Sequence, residues 1–229
     1  MGRFLKDSGI DVGDNLLGPH LSNPYGHFED IEILDFHKKI LRREFNGEDQ
    51  WVPELPCLTE EDRKVAMSLI EKRHKKGKPW GWKEPRTCLF LDFWTELIPE
   101  AKFLFLFRSP NTVLDSLSRR HNITPMNWRV HNKFINAWIL YNRQILMFYN
   151  KYKERCILVA IEHSVENPDN FVQLLCNRLH YKFKEKDFVA CYDASILRQG
   201  PVHNRWIAAL SLHIKAWKLH RDLLRLSEI

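Results

Sequence analysis

Arg108 and Ser116 have the residue types and the spacing to bind an anion. Arg108 supplies a fork of donors that suits phosphate, and the hydroxyl of Ser116, two helical turns further on, lies close enough in angle to serve the same anion. The alternative is that Arg108 pairs with a local carboxylate and Ser116 faces solvent. The sequence leaves both interpretations open.

A second cationic group lies upstream, in the run Gly81–Arg86. Lys83 and Arg86 stand three residues apart, and Pro85 holds them between a predicted short strand and a predicted helix. Such a rigid turn suits a sulfate or a phosphate. The alternative is a surface pair between Lys83 and Glu84.

The elements around Arg108 are predicted from an apolar run and a helix start. Five apolar residues, Phe103–Phe107, are typical of a strand buried on both faces, and therefore of a parallel sheet covered by helices. Ser109 can cap the next helix and Pro110 suits its first position. Arg108 is then expected at the carboxyl end of a strand, where open α/β sheets bind ligands.

The rest of the chain is predicted to alternate helices with one more buried strand. One of these helices is opened by Thr59, with Asp62 in capping-box position. The predicted strand is Cys156–Ile161. The other predicted helices are Phe28 to about Arg42, Leu89–Leu97, Trp128 to about Tyr152, Pro168–Leu179, and about Asn204 to Leu226. In the last helix, Trp206, Leu210, Ile214 and Trp217 are predicted to form one packing stripe. We expect an α/β chain with a single domain over residues 1–229.

Composition is consistent with one globular domain, since 229 residues with 44% hydrophobic and 12% aromatic residues can bury a sizeable core. The net charge of +6 favours anionic ligands in general. A basic nucleic-acid-binding module is the less favoured interpretation, because the basic residues are dispersed along the chain.

The cysteines and histidines point to neither a disulfide framework nor a metal. Five cysteines leave an odd count without close pairing, so a reducing compartment is expected. No spacing of His and Cys suggests zinc, and we predict no metal. No apolar run approaches the length of a transmembrane helix and the first residues lack a signal-peptide core, so a cytoplasmic protein is expected. The oligomeric state stays open.

Several motifs in order resemble one known group, the 3′-phosphoadenosine-5′-phosphosulfate (PAPS)-dependent sulfotransferases, particularly the bacterial sulfotransferase-like family. Asn23–Asp30 looks like the family's NPxGxFE element, and Trp82–Thr87 is similar to its WKDPR turn, with Glu84 in place of Asp. Arg108 and Ser116 match the Arg and Ser of its 3′-phosphate motif. Ile157–Glu162 looks like its late strand ending in Glu.

The resemblance implies a three-layer domain like that of P-loop NTPases, with a mainly parallel central sheet flanked by helices. It also implies transfer of a sulfuryl group from PAPS to a hydroxyl or amine of an acceptor, which the sequence leaves open among glycans, lipids, peptides and small metabolites. Lys83 would be the cation near the bridging oxygen and the leaving phosphate. Arg86 would hold the turn or a neighbouring anion, and Arg108 with Ser116 would bind the 3′-phosphate.

The same resemblance makes Glu29 the candidate general base, because relatives place a carboxylate near the acceptor there. The alternative is a helix-start carboxylate stabilised by the helix dipole. His27 and His121 are second candidates for the base. Arg198 and Gly200 would lie in a late loop that closes over the nucleotide.

One departure from the family concerns its Gly-rich loop, whose backbone N–H groups hold the 5′-phosphosulfate. No segment here corresponds to that loop, and Arg3–Ser8 resembles the end of the helix that follows it, so an N-terminally truncated domain is expected. The missing strand would leave two strands without a shared neighbour and backbone groups unpaired. The alternative function is therefore a non-catalytic or degenerate nucleotide-binding paralogue.

Overall fold

The computed structural model of the chain describes residues 1–19, 26–124, 127–191 and 210–229. These residues divide into two compact units. The first holds Met1–Leu97 with the described part of Lys186–Tyr192, and the second holds the described residues of Ile98–Glu185 and Asp193–Ile229. The single domain over residues 1–229 stays a prediction.

The elements of the described residues are mostly helices. In chain order they are α1 (Gly2–Asp7), α2 (Ile31–Glu44), α3 (Glu60–His74), a 3₁₀ turn (Pro85–Leu89), α4 (Leu91–Leu97), β1 (Phe103–Phe107), α5 (Pro110–Arg120), α6 (Trp128–Lys151), a second 3₁₀ turn (Lys153–Arg155), β2 (Cys156–Ala160), α7 (Ile161–Glu166), α8 (Pro168–Leu179), α9 (Glu185–Cys191) and α10 (Leu210–Leu226).

Helix α2 begins later than its apolar pattern predicts. Phe28 has a φ of 51°, which lies outside the right-handed helical region, and the extended residue Asp30 caps the helix by accepting a hydrogen bond from the Glu32 N–H. The predicted start at Phe28 is therefore wrong. Helix α3 begins as predicted, because Thr59 and Asp62 form a capping box.

The short strand predicted before Pro85 is absent from the described residues, where Trp80 makes only an isolated parallel bridge with Asp11. The bridge stops after one residue pair because the chain turns at Gly13, whose φ is 116° and whose N–H binds the Asp11 carboxylate. Lys83 consequently lies in a loop between this bridge and the 3₁₀ turn.

The second unit is built around a parallel pair of strands. Strands β1 and β2 pair in register from Phe103 with Cys156 to Phe107 with Ala160. All of β2 is buried, but in β1 only Phe105 and Phe107 are buried, so burial of β1 on both faces was an overestimate. The predicted strand to Ile161 stops at Ala160, because Ile161 begins α7. The α/β class with a parallel sheet is confirmed.

The outer edge of β2 is bonded to the last residues of the chain. The Leu158 N–H donates to Glu228 Oε1 at 3.2 Å, and the Glu228 N–H donates to the Leu158 carbonyl at 2.9 Å. The Ala160 N–H donates to Ser227 Oγ, and Arg178 Nη1 holds the second Glu228 oxygen at 2.8 Å. The strand groups that face away from β1 therefore have partners, which relieves the cost of leaving them unpaired.

Helices α5, α6 and α8 of the second unit start where the sequence predicts, whereas α7 was not predicted. Ser109 caps α5 by accepting from the Thr112 N–H, with Pro110 in the first turn, and α8 starts at Pro168. Helix α10 is described from Leu210, and residues 204–209 of the predicted helix lie outside the described residues.

The packing stripe of α10 differs from the prediction. Ile214 is 62% exposed and Trp217 is 41% exposed, whereas Ala216, Leu219 and Leu223 are buried. These three residues recur at helical spacing, and α10 packs against α6. The predicted stripe is thus wrong at Ile214 and Trp217, and its first residue, Trp206, lies outside the described residues.

Among the described residues, no helix is both long enough and apolar enough to cross a membrane. The five cysteines are free thiols, and Cys156 is buried whereas Cys88 and Cys176 are half-buried.

Candidate active site

Lys83 and Glu29, the two predicted catalytic residues, meet in the first unit. Lys83 Nζ lies 2.6 Å from Glu29 Oε1, although 54 residues separate the two in sequence. The Glu29 side chain is 8% exposed, and that of Lys83 is 35% exposed. His27 Nδ1 lies 3.8 Å from the same Glu29 oxygen. The arrangement pairs a nearly buried carboxylate with a cation that solvent can reach.

The backbone around Glu29 is held on both sides of the residue. The Leu17 N–H donates to the Glu29 carbonyl at 2.8 Å, and the next residue, Asp30, caps α2. The buried Asp30 carboxylate also pairs with Arg73 of α3, a residue that is itself buried. Glu29 is thus carried by a short segment whose position is fixed by α2 and α3.

The residue after Lys83 is buried, so the predicted surface pair between Lys83 and Glu84 is wrong. Glu84 has a fully buried carboxylate that accepts from His37 Nδ1 at 2.7 Å and from Arg86 Nη1 at 2.7 Å. A buried charge requires hydrogen-bond partners, and these two bonds provide them for the Glu84 carboxylate. They also fix the position of the loop at Glu84. Lys83 is left pointing to Glu29.

Arg86 is bonded within the turn. Its Nε donates to the Asp49 carbonyl at 2.6 Å, and Nη2 lies 3.8 Å from the Asp49 carboxylate. Together with the bond to Glu84, these contacts join the turn to the segment after α2. They match the first of the two roles expected for Arg86, which was to hold the turn.

Sequence reasoning missed His37. The ring stacks on Phe90 at 4.2 Å between centroids, and Trp94 Nε1 donates to His37 Nε2 at 2.9 Å. A signal was present in the sequence, because His37 falls within the apolar stripe of α2 that includes Ile33 and Ile40. A histidine on a buried face needs a polar partner, and Glu84 provides one.

The Glu84 carboxyl ionises more easily than an ordinary glutamate. Burial alone would raise its pKa, but the hydrogen bond from His37 and the charge and hydrogen bond of Arg86 outweigh burial, and the pKa of Glu84 is lowered. The group is therefore a carboxylate at neutral pH, with both of its oxygens bonded.

Arg108 and Ser116 lie in the second unit, at the carboxyl end of β1 and on α5. Arg108 Nε is 3.3 Å from Glu162 Oε1, and the Arg108 carbonyl accepts from Trp138 Nε1 at 3.3 Å. Pairing with a local carboxylate, one of the two interpretations of Arg108, is therefore present in the structure. The side chains of Arg108 and Glu162 are 24% and 38% exposed, so an incoming anion could compete with Glu162 for the guanidinium.

Some predicted features lie outside the described residues, namely Asn23–Tyr25 of the NPYGHFE segment and the pair Arg198 and Gly200. Across the described ranges, no group of three or more His, Cys, Asp or Glu residues could hold a metal ion.

Comparison with known proteins gives one family match and one distant relative. The profile of the sulfotransferase family matches residues 22–185. A Caenorhabditis briggsae protein named "Putative protein-tyrosine sulfotransferase" is 25% identical over 105 residues, which are 45% of this chain and 38% of that protein. The chain thus spans well under half the length of this relative. No solved structure gives a significant match.

Proposed function

Because the chain belongs to the sulfotransferase family, we propose that it transfers a sulfuryl group from PAPS to a hydroxyl or an amine of an acceptor. The observation that supports the proposal most is the pairing of Lys83 Nζ with Glu29 Oε1 at 2.6 Å. In-line transfer uses a base on the acceptor side of the sulfur and a cation on the leaving-group side, and this pair brings a residue of each kind to one place in the first unit.

Glu29 and Lys83 have complementary tasks in this reaction. Glu29 accepts the proton of the acceptor hydroxyl while the acceptor oxygen forms its bond to sulfur. As the bond between sulfur and the bridging oxygen of the donor breaks, Lys83 neutralises the negative charge that collects on the leaving phosphate. The pair exchanges its mutual contact for contacts with the two reactants, and no covalent enzyme intermediate is needed.

Arg108 and Ser116 are assigned to the 3′-phosphate of the donor. The guanidinium can release Glu162 and bind two phosphate oxygens, because a bidentate bond to a dianion is stronger than the single contact at 3.3 Å. Ser116 adds a hydroxyl donor from α5. Arg86 is assigned to holding the Lys83 turn.

The first acceptor to test is the hydroxyl of a tyrosine, because the distant relative is named for that substrate. A phenol is also a suitable acceptor chemically, since a carboxylate such as Glu29 can take its proton more readily than that of an aliphatic alcohol.

Donor binding is tested by calorimetric titration of the chain with 3′-phosphoadenosine-5′-phosphate (PAP) and with AMP. We expect PAP to bind and AMP to bind far more weakly, and we expect Arg108→Ala to abolish the difference. Arg119→Ala is the matched control, because Arg119 is an exposed arginine of α5 that pairs with Asp115. Equal affinity for PAP and AMP in the unaltered chain would contradict the assignment of Arg108 and Ser116.

Transfer is tested with radiolabelled PAPS and a tyrosine-containing peptide, against the same peptide with phenylalanine. We expect label in the tyrosine peptide alone, and its loss in Lys83→Ala. PAP binding without transfer to any of a panel of glycan, lipid, peptide and small-molecule acceptors would instead favour the degenerate nucleotide-binding paralogue.

A further inference from the structure

Four buried side chains hold the Lys83 loop against the rest of the first unit, and none of them contacts a reactant in the proposed chemistry. They are Glu84, His37, Trp94 and Arg86. Three of their contacts measure between 2.7 and 2.9 Å: Glu84 with His37, Glu84 with Arg86, and Trp94 with His37. A chain of hydrogen bonds therefore runs from α4 through α2 to the residue next to Lys83.

The hydrogen bond from Trp94 determines which ring nitrogen of His37 carries the proton. An indole N–H can only donate, so His37 Nε2, which receives it from Trp94, must carry a lone pair. The ring proton is then on Nδ1 and points to Glu84 Oε2 at 2.7 Å. Stacking on Phe90 holds the plane of the ring. His37 thus presents a single donor in a fixed direction.

The length of Glu84 matters because its two oxygens serve two different partners. Oε2 reaches His37 on α2, while Oε1 accepts from Arg86 in the turn. An aspartate is one methylene shorter and would have to give up one of the two contacts. The partner left behind would be a buried donor without an acceptor, which is more costly than the loss of an exposed hydrogen bond.

We propose that Glu84 and His37 are positioning residues for Lys83, and that His37 is the reason why residue 84 is a glutamate. Fixing the backbone at Glu84 limits the directions that the Lys83 side chain can take, so that its ammonium remains against Glu29. The effect of these two residues on catalysis rests on the proposed function of Lys83. The placement itself can be measured without turnover.

The test is the rate at which Lys83 is acetylated by an N-hydroxysuccinimide ester in the folded chain, followed by mass spectrometry. Release of a partly exposed lysine from its ion pair should raise the rate by about fivefold in Glu84→Asp and in His37→Leu. His37→Asn should stay close to the unaltered chain, because its amide N–H can replace Nδ1–H. Lys72, which pairs with Glu32 on the surface, is the internal reference and should not change.

Glu29→Gln calibrates the measurement, because it removes the partner of Lys83 directly and should raise acetylation in the same way. An unchanged rate in Glu84→Asp and His37→Leu would overturn the proposal, and so would an unchanged rate in Glu29→Gln. Where a variant lacks a cooperative melting transition, Trp94→Phe takes its place. It removes the N–H that Trp94 donates to His37 Nε2 and leaves a smaller aromatic ring in its place, and an unchanged acetylation rate there would likewise count against the proposal.

Turnover separates this proposal from the proposed function. In a chain that transfers the sulfuryl group, Glu84→Asp should lower kcat and leave the Kd for PAP unchanged. A chain that transfers nothing but shows the expected acetylation pattern contradicts the proposed function and still supports the positioning role of Glu84 and His37.

Discussion

Glu29 is the residue at which the proposed chemistry can be tested most directly. Glu29→Gln keeps the shape of the side chain but removes the base, so kcat for sulfuryl transfer should fall by about 10²- to 10⁴-fold. The Kd for PAP should not rise, because Lys83 no longer has to leave the Glu29 carboxylate to reach the phosphate of PAP. Steady-state transfer assays and calorimetry measure the two quantities.

Glu61→Gln is the control for this change, because Glu61 lies on the surface of α3 and is 75% exposed. Full activity in Glu29→Gln would remove Glu29 from the role of base. His27, 3.8 Å from the Glu29 carboxylate, would then be the next candidate.

Gly13 is a position where the backbone and the packing both demand glycine. Its φ is 116°, and a Cβ there would lie 2.5 Å from Asp30 Oδ2, the carboxylate that pairs with Arg73. Gly13→Ala should lower the free energy of unfolding by about 1–3 kcal/mol, measured by urea denaturation.

Gly77→Ala is the comparison, because Gly77 has a φ of 61°, inside the left-handed region, and nothing lies within 4 Å of a Cβ placed there. Its effect should be smaller than that of Gly13→Ala, at about 1 kcal/mol. Equal losses in the two variants would show that neither the φ of Gly13 nor the contact with Asp30 makes that position more demanding.

Two histidines of helix α10, His213 and His220, should make the free energy of unfolding depend on pH. Burial lowers the pKa of His220, with the charge of Glu162 acting in the opposite direction, and burial also lowers the pKa of His213. A histidine whose pKa is lower when folded contributes stability that is complete above its unfolded pKa of about 6.5 and is lost as the pH falls through the folded value.

The expected result is a free energy of unfolding that decreases as the pH falls below about 6.5. His220→Phe should reduce this decrease, because phenylalanine keeps the ring contacts with Phe107 and Trp138 and cannot gain a proton. His74→Phe, at an exposed histidine, should retain it. A pH dependence that is identical in His220→Phe and the unaltered chain would exclude His220 as its source.

The starts of helices were predicted best, because capping residues next to the start determine them. Ser109 with Pro110, and Thr59 with Asp62, are helix starts that need only neighbouring residues, and both are confirmed. The buried stripe of α10 was placed wrongly because Ile214 and Trp217 are apolar yet exposed, and periodicity alone cannot tell which apolar face a helix buries.

For the whole molecule, the sequence predicted the α/β class and the parallel strand that ends at Arg108, since an apolar run followed by a helix cap is a local signal. The catalytic roles expected for Lys83 and Glu29 came from the resemblance to a family, and the contact between the two side chains could be known only from the folded chain. The bond between His37 and Glu84 joins residues 47 positions apart, and no spacing rule connects them. Nor did any rule identify Glu162 as the partner of Arg108.

The hydrogen bonds along the outer edge of β2 affect the tendency of this chain to associate with itself. An open strand edge is a template for pairing with another chain, and such pairing leads to aggregation. Ser227 and Glu228 occupy this edge through Leu158 and Ala160. Replacing both Ser227 and Glu228 with alanine should therefore increase light scattering during refolding, whereas Arg225→Ala, at a side chain that is 69% exposed, should not.

Scattering that does not rise in the double variant would mean that other parts of the second unit shield β2. If it does rise, Ser227 and Glu228 limit the self-association of the chain through β2, and substitutions at these two positions would be expected to cost solubility.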